Sequence, residues 1–354
     1  MTGENNKTLF FRKQLLRWNS QHNHRDMPWK GEKDPYKIWL SEIILQQTRV
    51  EQGLAYYNRF IKTFPTVHQL AKAPETTVFK LWEGLGYYTR CKNLIASAKY
   101  ISTELKGKFP NAYDDILSLK GIGPYTAAAI GSFAFNLPHA VVDGNVFRVL
   151  ARYFGIETAT DTTEGKKIFT ALANDLLDKK MPGIYNQALM DFGAVICKPQ
   201  QPICIECPLQ KSCAAYLHDL INVLPVKEKT IIKKPRWLYY IIIEHNGKVY
   251  VQKRSGKDIW QNLYEFFLVE NDKELSLKEI EKLTALKKVI GKTKVELISV
   301  SKIYKQVLSH QIIYGQFIRV KISAEIEMDG FEIVSAKKLN TLPFPKLINS
   351  YLEE

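Results

Sequence analysis

The 354-residue chain is 45% apolar and 24% charged, an ordinary globular composition that excludes a disordered protein. Its net charge of +14 is spread along the chain, 27 Lys+Arg against 19 Asp+Glu over residues 1–217 and 23 against 17 beyond, which points to a polyanionic partner. No apolar run is long enough to span a membrane, and MTGENNKTLF lacks a signal peptide's basic and apolar regions, so a cytoplasmic protein without a membrane partner is expected.

Residues 1–217 read as helical, with apolar residues at three- and four-residue spacing over 8–19, 36–46, 54–61, 77–82, 92–104, 125–134, 145–154 and 165–178. In DPYKIWLSEIILQQT, Asp34 is placed to cap a helix that opens at Pro35. Glu42 then falls one turn after Ile38 and Trp39 and one turn before Leu45, on the apolar face. A carboxylate there is desolvated and available as a proton donor near neutral pH, unless its head escapes to a salt bridge.

Next comes LKGIGPYTAAAIGSFAF, residues 119–135. Gly121 and Gly123 sit in a tight turn between helices, the second opening at Pro124, and such a turn suits a phosphate oxygen or forms a plain helical corner. In VVDGNVFRVLARYFG, Asp143 follows an apolar run and precedes the helix 145–154. It reads as an N-cap carboxylate held ionised by helix N–H groups, with Asn145 serving the same turn. Glu42 protonated and Asp143 ionised is the division of labour that glycosidic bond cleavage uses.

Four of the five cysteines follow in CKPQQPICIECPLQKSC, residues 197–213, spaced C-x6-C-x2-C-x5-C. In a reducing compartment this is a metal site, and the spacing admits structural zinc or an iron–sulfur cluster. Cys91 stands apart and reads as a structural cysteine. Residues 218–234 read as a linker, and 235–354 as an α+β domain opening with a hairpin at Asn246-Gly247. A helix is expected over 276–290 and further strands over 295–326.

Together PWKGEKDPYKIWLSEIILQQTRV, LWEGLGYYTRCKNL, LKGIGPYTAAAIGSFAF, VVDGNVFRVLARYFG, YNQALMDFGAVIC and the cysteine spacing resemble the MutY-type adenine DNA glycosylases of the endonuclease III superfamily. The resemblance covers residues 8 to about 217 and, more weakly, the rest. It implies a mainly α helix-hairpin-helix glycosylase with a six-helix barrel and a 4Fe–4S cluster domain, joined to a MutT-like (Nudix-like) α+β domain. The implied activity is base excision repair: hydrolysis of the bond to adenine mispaired with 8-oxoguanine or guanine in double-stranded DNA, by a nucleoid-associated monomer.

The resemblance assigns roles residue by residue. Glu42 stands where the family's acid protonates adenine N7, and Asp143, with Asn145 beside it, where a carboxylate stabilises the sugar cation. Tyr125 occupies the place of the lysine that gives bifunctional relatives their Schiff-base strand cleavage, so an abasic site is the expected product. Arg25, Trp29 and Gln187 match the adenine pocket, and Gln47 and Tyr87 match residues wedged into the duplex. Cys197, Cys204, Cys207 and Cys213 match the cluster ligands. Leu308-Ser309-His310 matches a loop usually reading Phe-Ser-His, so Ser309 and His310 are placed against the oxidised base while Leu308 lacks the aromatic wedge. The segment 276–290 lacks the REXXEE pattern of the hydrolases, so no pyrophosphatase activity is expected. A bifunctional pyrimidine glycosylase–lyase and a non-catalytic DNA-binding protein are the competing readings; Tyr125 opposes the first, and Glu42 with Asp143 the second.

Overall fold

The structure, a computed structural model, describes residues 2–228, 232–276, 279, 290–291 and 293–354, so nearly all of the helix expected over 276–290 lies outside the described residues. The chain forms two compact units, Met1–Lys72 with Ala96–Lys229, and Ala73–Ile95 with Thr230–Glu354. These units cut the chain differently from the expected boundaries, because the segment 73–95 packs with the C-terminal residues.

The first unit is helical: α1 (Thr2–His22), α2 (Pro35–Leu45), α3 (Val50–Thr63), α4 (Val67–Lys72), α7 (Tyr113–Ser118), α8 (Pro124–Phe135), α9 (Gly144–Phe154), α10 (Thr163–Leu176), α11 (Pro182–Val195) and α12 (Ala214–Leu217). Asp34 caps α2 as expected, its side chain accepting from Tyr36 N with Pro35 in the first turn. One core joins Phe11, Leu15 and Trp18 of α1 to Val149 and Tyr153 of α9, Phe169 of α10 and Phe192 of α11. Trp18 meets Phe192 edge-on at 5.0 Å, the geometry that aromatic quadrupoles favour.

Helix α11 escapes the periodicity search because it is buried on several faces rather than along one stripe, from Tyr185 and Asn186 to Asp191 and Gly193. The segment expected as a linker from residue 218 is packed onto the first unit. Arg152 Nε donates to Leu224 O at 3.0 Å, Thr160 N to Val226 O at 3.1 Å, and Glu228 N to Asp161 Oδ1 at 3.1 Å.

The second unit contains α5 (Glu75–Trp82), the first half of α6 (Tyr88–Thr103) and a mixed sheet. The sheet is built from β1 (Lys234–His245), β2 (Lys248–Lys253), β3 (Tyr264–Glu265), β4 (Phe267–Asn271), β5 (Val295–Val300), β6 (Tyr304–Val307), β7 (Gln311–Ile322) and β8 (Phe331–Ser335). The β1–β2 hairpin turns at Asn246 (φ 47°) and Gly247 (φ 71°), the double left-handed turn that the Asn-Gly pair predicts. The spine is β3-β2-β1-β7-β5, with β1 and β7 parallel. That central place explains why β1 reads WLYYIII rather than alternating. The short helices α13 (Ala336–Leu339) and α14 (Lys346–Leu352) close the chain, and Tyr351 stacks on Phe317 at 4.1 Å.

Candidate active site

Glu42 lies on α2 with 6% of its surface exposed. Burial pushes its pKa up to about 7; the hydrogen bond from the Tyr125 hydroxyl opposes the rise, and the charge of Asp143 adds to it. Tyr125, on α8, has its phenol pushed well above its ordinary range by burial and by the two carboxylates, so it stays a neutral donor. The sequence marks Tyr125 only as a missing lysine; in the fold its hydroxyl holds the acid in place.

Asp143 caps α9 as the sequence predicts. Its Oδ1 accepts from Val146 N at 2.8 Å and its Oδ2 from Asn145 Nδ2 at 2.7 Å. The expectation that the cap alone holds it low is corrected: burial raises its pKa and outweighs the donors from Val146 and Asn145 and the charge of Arg148. The asymmetry between the two acids survives. Asp143 collects several donors and a nearby cation, whereas Glu42 accepts from the Tyr125 hydroxyl and bears Asp143's charge besides. The donors and the cation beside Asp143 favour its charged form, and the charge of Asp143 favours the neutral form of Glu42.

Asn145 is itself held from behind. Arg148, 7% exposed, donates from Nη2 to Asn145 Oδ1 at 2.8 Å and to Gly193 O at 2.6 Å, and from Nε to Cys197 O at 2.7 Å. Helices α9 and α11 approach so closely here that a Cβ on Gly193 would lie 2.7 Å from Asn145 Cβ, so only glycine fits. Asn186 pins the segment entering the cap, accepting from Val141 N at 3.1 Å and donating to His139 O at 2.9 Å and Ser132 Oγ at 3.0 Å.

These groups open on a cavity of about 600 Å³ lined by Arg25, Trp29, Glu42, Gln47, Gly123, Tyr125, Asp143, Asn145 and Gln187 among others. A second cavity of about 220 Å³ shares Trp29, Glu42 and Gln187 with it. Trp29 is 8% exposed and meets Tyr57 edge-on at 5.3 Å. Gln47 is exposed with φ 58°, a left-handed conformation costly for a side-chain-bearing residue and concentrated at functional positions. Gly121 also needs its left-handed φ of 81°, in the hairpin turn before α8, and does not line the cavity.

Asp191 is the residue that sequence reading missed most. Its side chain is fully buried and accepts from Arg25 Nη1 at 2.8 Å, Asn23 Nδ2 at 2.9 Å and Gln187 Nε2 at 2.9 Å, with Lys30 Nζ at 3.2 Å. Arg148 and Arg152 were also missed; the available signal was two arginines four apart in the otherwise apolar VFRVLARYF.

Tyr87, Ser309 and His310 belong to the second unit. There Tyr87 (φ 49°, 45% exposed) pairs its hydroxyl with that of Ser309 at the β6–β7 turn. Both, with Leu308 and His310, line a cavity of about 790 Å³ that Lys92 and Lys257 also border.

The four cysteines surround a cavity of about 30 Å³ beside Arg152. Burial first, and the neighbouring thiols next, push Cys204 and Cys213 upward, and Cys207 to about 12. Among the described residues no group of three His, Cys, Asp or Glu side chains is arranged to hold a metal ion.

Comparison with known proteins agrees with this fold. Residues 40–174 match the HhH-GPD superfamily of base excision DNA repair proteins, and residues 238–354 match the NUDIX domain. The chain is 37% identical to the adenine DNA glycosylase of Buchnera aphidicola subsp. Baizongia pistaciae over 311 residues, 87% of this chain and 85% of that one. It is 40% identical to the adenine DNA glycosylase of Homo sapiens over 214 residues, 58% of this chain and 39% of that one. Among solved structures, a thermostable thymine-DNA glycosylase is 31% identical with TM-score 0.57, covering 61% of this chain and 99% of that one. Endonuclease III trapped covalently on DNA shares the fold at 20% identity and TM-score 0.52, over 60% of this chain and 98% of that one.

A helical hairpin fold with a buried and a half-buried acid on one cavity defines a base-excision DNA glycosylase. Within that class, the chain belongs to the adenine DNA glycosylase family.

Proposed function

We propose that this DNA glycosylase releases adenine mispaired with 8-oxoguanine or guanine in duplex DNA and leaves an abasic site. The observation that carries the reading is the convergence of Glu42, raised to about 7, with Asp143 and Tyr125 on one cavity. Glu42 gives its proton to adenine N7 as the C1′–N9 bond breaks and its electron pair departs with the base. Asp143 faces the resulting sugar cation, and water completes the hydrolysis at C1′. Gln187, with Arg25 and Trp29, reads the flipped base, and Gln47 fills the space it leaves. Tyr125 carries no amine, so no Schiff base forms and the strand stays intact.

In the second unit Tyr87, Ser309 and His310 read the oxidised base, which the hydroxyl pair and bordering lysines support. Cys197, Cys204, Cys207 and Cys213, which line one small cavity, would hold a 4Fe–4S cluster, as four thiols at this spacing suit. When bound, the cluster supplies charge and a rigid loop rather than electrons, since hydrolysis of this bond transfers none. The enzyme works as a cytoplasmic, nucleoid-associated monomer; no described helix is long and apolar enough to cross a membrane.

The test is a duplex with one A:8-oxoguanine pair. Adenine excision is expected, with strand breakage only after alkali, and Glu42→Gln and Asp143→Asn bind the duplex without cleaving. Wild-type turnover by Glu42→Gln sinks the acid assignment, and borohydride-trapped strand nicking sinks the monofunctional one.

A further inference from the structure

Gln187 and Asp191 lie four residues apart on α11 and so share one face of the helix. An amide presents a carbonyl at one end and an NH2 at the other, and a glutamine in a polar cavity can turn either way. Here the choice is removed. Asp191 is fully buried and engaged by Arg25 and Lys30, so it faces Gln187 as a carboxylate that only accepts. The Gln187 end at 2.9 Å from Asp191 Oδ1 is therefore the NH2, and the carbonyl is the end left for the cavities that Gln187 lines with Glu42.

We propose that Asp191 is a specificity-determining positioning residue, which selects a purine bearing a 6-amino group by fixing the orientation of the Gln187 amide. The proposal rests on the reading of this cavity as the adenine site. Adenine offers along one edge an N7 acceptor and an N6–H2 donor, and guanine an N7 and an O6, both acceptors. A protonated Glu42 satisfies N7 of either base. The Gln187 carbonyl accepts from a 6-amino group and repels a 6-oxo group. The second edge position thus decides between the bases, and Asp191 decides what Gln187 shows there. Arg25, Lys30 and Asn23 occupy the remaining acceptor positions of Asp191, so the carboxylate cannot turn away from Gln187.

The experiment measures single-turnover excision of adenine, hypoxanthine (6-oxo) and purine (no 6-substituent) opposite the same partner base. In the wild type, adenine should lead hypoxanthine by about ten- to a hundredfold, with purine between them. Asp191→Asn can face Gln187 with either end of its own amide, so the adenine:hypoxanthine ratio should fall about tenfold or more, and Asp191→Glu should restore part of it. An unchanged ratio in Asp191→Asn, even with all three rates uniformly lower, overturns the proposal and leaves Asp191 a structural residue. A wild type that excises no adenine overturns the reading of the site instead. If Asp191→Asn does not fold, the Gln187 side-chain amide protons in the wild type decide. Slow exchange of one Nε2–H with solvent supports a fixed orientation, and free exchange of both overturns it.

Discussion

Arg148 donates to the Asn145 carbonyl oxygen at 2.8 Å, and the same side chain of Asn145 donates onward to Asp143 at 2.7 Å. The guanidinium also reaches Cys197 O, so one side chain ties the first of the four clustered cysteines to the Asp143 carboxylate. Arg148→Leu leaves buried carbonyls of Gly193 and Cys197 without this donor and frees Asn145. The expected cost is on the order of 3 kcal/mol, read as a lower Tm. Excision should fall with it, and Arg148→Lys, keeping the charge without the fork, should lie between the two.

Glu42 links activity to pH and to stability. The proposed role as general acid requires it protonated, so excision should decline by about tenfold per pH unit above its pKa of about 7. The stability sign follows from the same shift. Its pKa is raised on folding from 4.5, so the folded state binds the proton more tightly than the unfolded chain. That contribution is fully present below about 4.5 and is lost as pH rises through about 7. Glu42→Gln removes the buried charge, and at pH 8 it should unfold at a higher temperature, by on the order of 3 kcal/mol in stability, while excision falls about a hundred- to ten-thousandfold. An equal or lower Tm at pH 8 contradicts the assigned burial.

The hydroxyl pair Tyr87–Ser309 is expected to act on recognition, not on bond cleavage. Ser309→Ala should reduce the preference for 8-oxoguanine over guanine opposite adenine several-fold, a loss of about one hydrogen bond. The single-turnover rate on A:G should stay unchanged. A matching loss on both pairs places Ser309 in folding rather than in reading the lesion.

The cysteine loop should fail in a different order. Cys207→Ser is expected to reduce iron content and visible absorbance first and DNA affinity with it, while protein that still binds duplex retains its excision rate. A rate collapse in fully bound, iron-free protein would assign the loop a part in chemistry.

Several features were legible in the chain because they depend on neighbours in sequence. Asp34 and Asp143 announce their caps by standing before Pro35 and the 144–154 helix, and Asn246-Gly247 announces its hairpin. Glu42 was legible from its position among apolar residues one turn away on either side. Helix α11 was not, because burial on several faces erases the periodic stripe. Nor could spacing say that residues 73–95 pack with the C-terminal unit, or that 218–228 lie along the first.

By itself, the sequence determined the helical first part, the strand-rich second part, the two acids and the four thiols, since residue type and local periodicity suffice for these. Tertiary structure alone decided that burial raises Asp143 as well as Glu42, against the low value its cap suggested. Desolvation raises both, while the donors and the cation around Asp143 oppose its rise and the charge of Asp143 adds to that of Glu42. It alone also placed Asp191 against Gln187, and Arg148 between Asn145 and Cys197. Such contacts depend on how helices distant in sequence are packed, and no local pattern encodes the distance between two side chains that meet across a core.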